Sequence, residues 1–334
     1  MILKNFDLKK KVFIIAEIGN NHEGNFNNAK KMVELAAKAG VDAVKFQTFK
    51  TENFIRKTDK KRFKQLKKFE LSYKNFKSLK DIAHKNKLKF ISTPLDMDSA
   101  DFLTVNADLI KISSGDNNFF PLIDKILKTK KKMIISCGMM NINQVKDLEK
   151  YINKIIGKKE ATNRVAFLHC VTSYPVENEY ANLNSIKFMK KKINLTIGYS
   201  DHTVGVQACL AAVALGANIL EKHFTHDKNF SSFRDHHLSS DFDELKSIVD
   251  SVRILENQLG QFNKKIEKPE HKLIKMVRRA PYAKKNILVN ERLSLENTVF
   301  LRPASSKNFL NLKKVIGKKT KNKFSKDKII KLNT

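Results

Sequence analysis

Two stretches near the amino terminus, Val12-Phe-Ile-Ile-Ala-Glu-Ile18 and Asp42-Ala-Val-Lys-Phe-Gln-Thr48, share one arrangement: a short apolar run that becomes polar near its carboxyl end. Amphipathic stretches such as Asn27–Ala39, in which apolar residues recur at helical spacing, separate runs of this kind along most of the chain. Strands that alternate with helices form a parallel sheet with crossover connections. The other runs are Lys89–Thr93, Leu109–Ser114, Met133–Gly138, Val165–Val171, Thr196–His202 and Asn218–Thr225. About eight such units in about 250 residues predict a (β/α)8 barrel, the TIM-barrel fold.

The polar carboxyl ends of these runs favour a closed barrel over an open, doubly wound sheet. In a barrel every carboxyl end opens into one mouth, where the active site lies, whereas an open sheet gathers only some of these ends. The convergence of polar side chains therefore predicts an enzyme. The polar residues at the run ends are Glu17, Lys45, Gln47, Ser92, Thr93, Lys111, Ser113, Ser114, Ser136, His169, Thr172, Ser200, Asp201, His202, Glu221, Lys222 and His223.

Two segments interrupt the alternation of strands and helices. Residues 50–71 form a long charged insert after the second run, a candidate for a loop over the barrel mouth. Residues 261–275 have the composition of a linker, and short strand-like pieces separated by turns follow at 278–284, 293–302 and 315–321. We therefore predict a barrel domain over 1–260 and a small β-rich domain over 276–334, a size at which a domain often depends on a partner for stability.

The composition is that of a globular protein with a large excess of positive charge. Of its 334 residues, 41% are hydrophobic and 30% are charged, and the formal net charge is +31. Such a charge suggests a nucleic-acid partner, but the lysines are spread from end to end and form no basic stripe interleaved with aromatic residues. A general lysine bias explains the charge better, so we expect no nucleic-acid partner. A basic surface would still steer anionic substrates towards the protein.

Neither a membrane segment nor a secretory signal is expected. No apolar run is long enough to cross a bilayer, and the amino-terminal residues scatter their charge and lack a small-residue cleavage site. The cysteines Cys137, Cys170 and Cys209 are far apart and fit no zinc spacing. An odd number of isolated cysteines suits a reducing compartment, so we predict a cytoplasmic protein.

Two histidines, His202 and His223, close the seventh and eighth runs. Neighbouring barrel strands would place their imidazoles side by side, and neutral imidazole is the commonest protein ligand for a divalent metal. The alternative is a pair of hydrogen-bonded core histidines. Because both occupy adjacent strand ends beside Glu221 and Asp201, we favour a metal site with positions left open for substrate oxygens and water.

Two lysines, Lys45 and Lys111, end the second and fourth runs. A lysine at a strand end is usually solvated at the surface, but apolar neighbours flank each of these lysines, so strand alternation directs the lysine to the barrel interior. A cation inside a barrel is costly unless it meets an anion. Together with Ser114 and Ser200, the lysines would bind phosphate and carboxylate groups, as a small, highly charged substrate such as phosphoenolpyruvate carries.

Glu17 ends the first run and precedes the turn sequence Gly19-Asn-Asn-His-Glu-Gly24. A carboxylate in this position could act as a general base or hold a metal-bound water. A salt bridge between Glu17 and Lys45 is an equally good interpretation, and the sequence leaves both open. The chain lacks a glycine-rich nucleotide fingerprint, so we expect neither a dinucleotide nor ATP.

A series of short motifs runs along the chain at the ends of these strands and in the turns beside them. The motifs are Ile15-Ala-Glu-Ile-Gly-Asn-Asn-His-Glu-Gly24, Val44-Lys-Phe-Gln-Thr48, Phe90-Ile-Ser-Thr-Pro94, Lys111-Ile-Ser-Ser-Gly-Asp116, Leu168-His-Cys170, Gly198-Tyr-Ser-Asp-His-Thr203, Ala211-Ala-Val-Ala-Leu-Gly216 and Glu221-Lys-His-Phe-Thr225. In order and content these motifs resemble the sialic acid synthase family, and the resemblance extends from Val12 to Gly260. The tail, from Arg278-Arg279 through Leu301-Arg-Pro303 to Ile316-Gly-Lys318, resembles that family's antifreeze-like (SAF, or β-clip) domain.

The resemblance implies a transferase of the EC 2.5.1 type that joins phosphoenolpyruvate to N-acetylmannosamine or a related hexosamine, with Mn2+ or Mg2+. His202 and His223 match the family's metal ligands, and Glu17 matches a carboxylate near the metal and its water. Arg302 matches an arginine that reaches the acyl group of the sugar from the other subunit of a domain-swapped homodimer. The residues that match phosphoenolpyruvate contacts are Lys45, Thr93, Lys111, Ser114 and Ser200, and those that match sugar contacts are Gln47, Tyr174 and Asp235.

The departures from the family pattern fall in the half of the site that would hold the sugar. Asp116 stands where many members have glutamate, Thr172 where some have asparagine, and Ala304 where glycine is usual. The segment Ser231-Ser-Phe-Arg-Asp-His-His237 replaces a common loop that contains Gly-Pro-Asp. These changes keep a synthase of legionaminic or pseudaminic acid type as an alternative. A second alternative is a basic binding protein built on an inactive barrel. The presence of His202, His223, Lys45 and Lys111 argues against it.

Overall fold

Eight parallel strands form a closed barrel in which each strand pairs with the next along the chain and the first also pairs with the eighth. The structure, a computed structural model, describes residues 1–3, 6–304 and 312–332. The predicted (β/α)8 barrel is confirmed, and the strand ends differ from the predicted ones by one or two residues. The strands are β1 Phe13–Gly19, β2 Ala43–Thr48, β3 Lys89–Pro94, β4 Leu109–Ile112, β5 Lys132–Ser136, β6 Val165–Cys170, β7 Thr196–Asp201 and β8 Ile219–His223.

Helices follow the strands and cover the barrel. Local sequence explains their ends: Asn25 caps the first helix by accepting from the backbone N–H groups of Asn27 and Asn28, and Gly40 ends it in the left-handed conformation, at φ 89°. No helix in the described parts of the chain is long and apolar enough to cross a membrane. The helices of this unit are α1 Phe26–Ala39, α2 Thr51–Phe54, α3 Lys60–Phe69, α4 Tyr73–Lys85, α5 Met97–Asn106, α6 Phe120–Leu127, α7 Ile142–Ile156, α8 Lys158–Arg164, α9 Asn184–Lys192, α10 Gln207–Ala214, α11 Arg234–Leu238 and α12 Phe242–Gln258.

Strand alternation divides the barrel residues into two sets. One set, which includes Ile14, Val44 and Phe90, packs with the helices in the main hydrophobic core. The other set fills the barrel interior with apolar side chains, and the polar residues further along the same strands therefore lie above it, towards the mouth. The interior apolar residues are Phe13, Ile15, Ala43, Ile91, Leu109, Ile134, Ala166, Leu168 and Ile219.

Charged side chains on α12, the last helix of the barrel unit, bind to the segment at the amino-terminal end of β1. The guanidinium of Arg253 donates to the carbonyl oxygen of Val12 at 2.9 Å, to Glu256 at 2.7 Å and to Asp42 at 2.7 Å. Asp42 and Glu256 in turn accept from the backbone N–H groups of β1 and of Val12. Backbone groups that the end of the sheet would leave unpaired are thereby satisfied.

The second unit begins at Gln261 and contains a small antiparallel sheet around its own core. The segment predicted as a linker, 261–275, contains the start of a helix, and of the predicted strand 315–321 only the Arg292–Lys319 bridge forms. Residues 305–311 and 333–334 of the predicted domain lie outside the described residues, and its assignment as an antifreeze-like domain stays a prediction. The elements are α13 Glu270–Val277, β9 Ala280–Ala283, β10 Thr298–Leu301 and α14 Leu312–Val315.

Replacing Arg253 with methionine tests the network on α12. We expect Arg253→Met to lower the free energy of unfolding by about 2 to 3 kcal/mol, because the buried face of Asp42 loses its cation and Val12 loses a donor. Urea unfolding measures the change. Lys246→Met is the matched control, since Lys246 pairs with Asp250 on an exposed face of the same helix and such pairs contribute at most about 0.5 kcal/mol. Equal effects of the two substitutions would contradict the proposed role of the network.

Candidate active site

Two lysines and two glutamates form a buried charged cluster at the floor of the barrel mouth. The ammonium of Lys45 lies 2.9 Å from a carboxylate oxygen of Glu17 and 3.5 Å from one of Glu221. The same Glu221 oxygen lies 3.8 Å from the ammonium of Lys111. All four side chains are at most 5% exposed, so water does little to screen their charges. The salt bridge between Glu17 and Lys45 that the sequence left open is therefore present, as part of a larger cluster.

The pKa values of the two carboxylates in the cluster are shifted in opposite directions. Burial, reinforced by the charge of Glu221, raises the pKa of Glu17 although Lys45 opposes the shift. Burial acts on Glu221 in the same direction, but Lys111 and Lys45 outweigh it, so the pKa of Glu221 is lowered. Burial also lowers the pKa of Lys111, and the charge of Lys45 adds to this effect. Carboxylates with divergent pKa values are a usual feature of sites that move protons.

Hydroxyl groups complete the floor of the mouth. Lys111 donates to the hydroxyl of Ser136 at 2.6 Å, and Ser200 donates to Glu221 at 2.9 Å. The hydroxyl of Ser114 accepts from the backbone N–H of Gly138 at 3.2 Å. Position 138 has no room for a side chain, because a Cβ atom there would overlap the hydroxyl oxygens of Ser114 and Thr172. The glycine thus lets two strand ends approach each other beside the charged cluster.

His202 and His223 lie side by side, as their adjacent strands predict, with ring centres 5.3 Å apart. The ring of Tyr174 lies 4.2 Å from the ring of His202 and packs its edge against His223. The Nδ1 atom of His202 is 2.8 Å from the carbonyl oxygen of Val171. An acceptor at this distance fixes a hydrogen on Nδ1 and leaves Nε2 free to accept.

The histidine pair fits a divalent metal on two observations. The Nδ1 atom of His223 is buried and has no hydrogen-bond partner among the described residues. Burial, together with the charges of His202 and Lys45, holds the pKa of His223 well below its ordinary value, so the imidazole is neutral, the form that ligates metals. Within residues 1–3, 6–304 and 312–332, no three His, Cys, Asp or Glu side chains are grouped so that they could hold a metal ion.

A cavity of about 340 Å3 opens above the cluster and the histidine pair, within the size range of small-molecule sites. Most of the residues predicted from the sequence meet on its wall. Asp235 is not among the described lining residues and instead accepts from Nε of its neighbour Arg234, which does line the cavity. Arg302 lies in the second unit, where it is exposed. The predicted residues on the wall are Glu17, Lys45, Gln47, Thr93, Lys111, Ser114, Asp116, Thr172, Tyr174, Ser200, His202 and His223.

The sequence analysis missed most of the residues that line the outer part of this cavity. Phe54 and Arg62 come from α2 and α3 of the insert, Leu95 follows β3, and Arg234 begins α11. The guanidinium of Arg234 lies 4.8 Å from the ring centre of Tyr174, on which it stacks. None of these positions is a strand end. The signals in the sequence were the length of the insert and the unusual segment 231–237.

The insert, residues 50–71, contains two helices and is joined to the 231–237 segment across the mouth. Phe69 at the end of α3 packs its ring against Phe233, with ring centres 5.1 Å apart. The hydroxyl of Ser231 donates to Glu23, which follows β1. Gly24 touches the end of α3, because a Cβ atom at that position would overlap the carbonyl oxygen of Lys68. Insert and loop thus form one cover, a term we use below for residues 50–71 and 231–237 together.

A larger cavity, of about 970 Å3, lies beside the mouth, between the segments that follow β5 and β6. Its wall includes apolar side chains such as Met139, Ile142 and Phe188, and it shares Cys170 and Thr172 with the smaller cavity. It lacks the charged cluster and the histidine pair. We therefore take the smaller cavity as the candidate active site, although it is not the largest.

Comparisons with known proteins agree with the fold. The chain is 38% identical to N,N'-diacetyllegionaminic acid synthase of Campylobacter jejuni over 96% of this chain and 99% of that protein. It is 34% identical to pseudaminic acid synthase of the same organism, over 96% of this chain and 95% of that protein. The crystal structure of an N-acetylneuraminic acid synthetase from Leptospira borgpetersenii in complex with citrate superposes with a TM-score of 0.76 at 32% identity, over 82% of this chain and 94% of that one.

The family model supports the same assignment. The model of the NeuB family matches residues 32–264, which is most of the barrel unit described above. The relatives span nearly the full length of the chain, so the assignment does not rest on the barrel alone. The chain belongs to the NeuB family.

Proposed function

We propose that this enzyme is a transferase of the EC 2.5.1 type, a nonulosonic acid synthase that condenses phosphoenolpyruvate with N-acetylmannosamine or a related hexosamine. The observation that carries the proposal is the buried cluster of Lys45, Lys111, Glu17 and Glu221 beside the imidazoles of His202 and His223, at the mouth of a closed barrel. Phosphoenolpyruvate is small and highly charged, and the sugar it meets is neutral. The floor of the mouth suits phosphoenolpyruvate, and the outer wall of the mouth suits the sugar.

The floor offers the donors that phosphoenolpyruvate needs. The ammonium groups of Lys45 and Lys111 lie within reach of the same Glu221 oxygen, so an anion that enters between them meets two cations at once. Thr93, Ser114 and Ser200 line the same cavity and would donate to phosphate or carboxylate oxygens. Because all of these groups belong to strands or to the residues that follow them, they are held in place before substrate binds.

His202 and His223 are the residues that would hold a divalent metal, Mn2+ or Mg2+. Such an ion, when bound, would supply a Lewis acid for the aldehyde oxygen of the open-chain sugar. Tyr174 packs against both imidazoles and limits the positions they can take. The carbonyl of Val171 keeps the hydrogen of His202 on Nδ1, so that the other ring nitrogen faces away from the backbone.

The proposed reaction forms one carbon–carbon bond and one carbon–oxygen bond, the latter from water, and breaks the carbon–oxygen bond to phosphate. The methylene carbon of phosphoenolpyruvate bonds to the aldehyde carbon of the sugar, and the aldehyde oxygen takes up a proton. A water oxygen adds to the former C2 of phosphoenolpyruvate and gives up one proton, which balances the proton taken up by the aldehyde oxygen. Phosphate then leaves with the oxygen that had joined it to C2 and with the second water proton, and C2 becomes a carbonyl. Lys45 and Lys111 stabilise the charge of the phosphate and carboxylate groups throughout.

Glu17 is the group best placed to take the proton from the attacking water. Its pKa is raised by burial and by Glu221, and a carboxylate with a raised pKa is a better base than an exposed one. Lys45 lies 2.9 Å away and would stabilise the ionised form before the proton arrives. Glu221, whose pKa is lowered by the two lysines, stays ionised and holds Lys45 and Lys111 in position.

A synthase of legionaminic or pseudaminic acid type is the second candidate. It is favoured by the 38% identity to N,N'-diacetyllegionaminic acid synthase, which extends over 96% of the chain. Gln47, Asp116, Thr172 and Tyr174 line the sugar half of the cavity in either case. The difference between the candidates lies in the acceptor hexosamine and leaves the chemistry on phosphoenolpyruvate unchanged.

The proposed working unit is a cytoplasmic homodimer that exchanges its second units. Arg302 is exposed at the end of β10, and a planar guanidinium there suits the acyl oxygen of a sugar bound to the partner's barrel. We also propose that Asp235, the neighbour of Arg234 in the cover, contributes to binding the sugar. The cysteines Cys137, Cys170 and Cys209 are all free thiols, which fits a reducing compartment.

The direct test of the function is phosphate release from phosphoenolpyruvate with a panel of N-acetylhexosamines. We expect release only with an acceptor present, abolition by a chelator, and recovery with Mn2+ or Mg2+. His223→Ala should lower activity by at least about a thousandfold and should also weaken Mn2+ binding measured by calorimetry, because one of two protein ligands is lost. Full activity in excess chelator would refute the metal assignment, and acceptor-independent phosphate release would refute the synthase.

Lys111→Met tests the assignment of the anion site. We expect the KM for phosphoenolpyruvate to rise at least about tenfold, while the KM for the acceptor changes little, because a charged hydrogen bond of about 1.5 to 3 kcal/mol is lost on one substrate only. Lys89→Met is the control, since Lys89 is exposed at the opposite end of a barrel strand. A change confined to the acceptor would show that the two halves of the site are assigned the wrong way round.

Co-expression of two inactive chains tests the exchanged dimer. In a mixed dimer of Arg302→Ala and His223→Ala chains, one barrel carries both defects and the other carries neither, so activity should return. If the two chains carry different tags, mixed dimers can be purified on both tags before the assay. Mixed dimers without activity would show that Arg302 serves its own barrel.

A further inference from the structure

A second buried ion pair lies on the outer face of the barrel, behind the histidine pair. The ammonium of Lys222 is 2.7 Å from a carboxylate oxygen of Asp201, and the two side chains are 1% and 0% exposed. The two residues face each other across β7 and β8, and each comes directly before one of the histidines, His202 and His223. The thiol of Cys209, on α10, donates to the same oxygen of Asp201 at 3.3 Å. Strand alternation therefore directs the charged pair towards the helices and the imidazoles towards the barrel mouth.

The carboxylate of Asp201 also binds the backbone on the far side of His202. Its other oxygen, Oδ1, accepts from the backbone N–H and from the hydroxyl of Thr203, each at 2.9 Å. The hydroxyl of Tyr199 donates to the same oxygen at 2.9 Å. The side chain of Asp201 thus spans the residue that carries the imidazole, as aspartate side chains do in tight turns. The backbone on both sides of His202 is therefore held by one carboxylate with several donors.

Lys222 closes these bonds into a cycle. Besides the carboxylate of Asp201, its ammonium binds the backbone carbonyl oxygen of Thr203. Asp201, Thr203 and Lys222 are therefore bonded each to the other two, and we call these three residues the outer triad. The outer triad encloses His202 and is joined by a peptide bond to His223. A change in its dimensions would move both imidazoles.

Stability alone is a weak reason for a buried ion pair. Each ion loses its hydration on burial, and apolar side chains of similar volume often replace such a pair without loss of stability. What the pair supplies, and apolar side chains do not, is direction. Its bonds determine where the backbone of Thr203 lies relative to β8.

The imidazoles need such a constraint from outside the mouth. The carbonyl oxygen of Val171 lies 2.8 Å from Nδ1 of His202, which limits the rotation of that imidazole but does not fix the backbone that carries it. The imidazole ring centres of His202 and His223 lie 5.3 Å apart, and two ligands bind one ion together only while their spacing is kept. Hydrogen bonds behind metal-binding histidines supply this kind of constraint, and their loss typically weakens metal binding by about 10 to 100-fold.

We propose that Asp201, Thr203 and Lys222 are positioning residues for a divalent metal, because they fix the spacing of His202 and His223 from the outer face of the barrel. The inference rests on the metal site of the proposed function. It adds three residues whose side chains face away from the mouth and from the substrates. Their loss should weaken metal binding even where the fold is kept.

Binding of Mn2+ in the absence of substrates tests the outer triad. Free and bound Mn2+ differ in their electron paramagnetic resonance signals, so a titration gives the dissociation constant without any turnover. We expect the unmodified protein to bind Mn2+, and the double variant Asp201→Leu with Lys222→Met to bind it at least about tenfold more weakly. Because apolar side chains of similar volume replace the pair, the double variant should still unfold in urea in one cooperative transition.

Thr203→Val is a milder variant, and it decides the question if the double variant does not fold. It removes one hydroxyl from the outer triad and keeps the volume of the side chain, so we expect at least about threefold weaker binding of Mn2+. The control is Cys209→Ala, which removes a different donor to Asp201 and leaves every bond within the outer triad in place. Its dissociation constant for Mn2+ should change less than about twofold.

Three outcomes would contradict the inference. Unchanged Mn2+ affinity in a folded double variant, or in Thr203→Val, would overturn the positioning role. Equal weakening by Cys209→Ala would also overturn it, because the effect would then follow the loss of any donor to Asp201. If the unmodified protein binds no Mn2+, the proposed metal site fails first, and the positioning role fails with it.

Discussion

The structure depends on the placement of four buried charges, Glu17, Lys45, Lys111 and Glu221, at the floor of the barrel mouth. Each buried ion costs several kcal/mol in lost hydration, and removal of one partner leaves an uncompensated charge. Their strands, β1, β2, β4 and β8, are brought around one axis only when the barrel closes, because β8 pairs with β1 while β4 lies elsewhere in the ring. The same four side chains are the groups that we propose for anion binding and proton transfer.

The eighth strand and its neighbour carry charge on both faces. On the face opposite Glu221, the ammonium of Lys222 lies 2.7 Å from Asp201, and both side chains are fully buried between barrel and helices. Asp201 also accepts from the hydroxyl of Tyr199 at 2.9 Å. This second ion pair joins the ends of β7 and β8 immediately beside His202 and His223. The spacing of the imidazoles is thus determined by the outer face of the sheet as well as by its inner face.

The side chains proposed for the chemistry and those proposed to contact the acceptor lie in different parts of the barrel unit. The floor is made by strand ends, which are buried and paired on both sides. The cover, residues 50–71 and 231–237, is held by the Phe69–Phe233 contact and by the bond from Ser231 to Glu23. Substitutions at Phe54, Arg62 or Arg234 can change the outer wall of the cavity without altering the four charged side chains of the floor. One departure from the family pattern that the sequence shows, the segment 231–237, lies in this cover.

The sequence by itself determined the barrel, because strand and helix periodicities are local and eight of them in succession have one closed arrangement. It also determined the inner set of chemical groups, since strand alternation decides which side chains face inward, and Glu17, Lys45, Lys111, His202 and His223 meet as predicted. The sequence does not predict the position of a side chain where that position depends on contacts between segments distant in the chain.

Only the tertiary structure decided that the charged insert folds into helices and brings Phe54 and Arg62 to the cavity. Only the structure showed that Arg234 lines the wall while Asp235 lies behind it. The physical reason is that loop residues have no fixed periodicity: their side chains point where packing against other segments, such as Phe69 on Phe233, directs them. Strand residues are directed by the sheet, and their inward or outward direction can be read from the sequence alone.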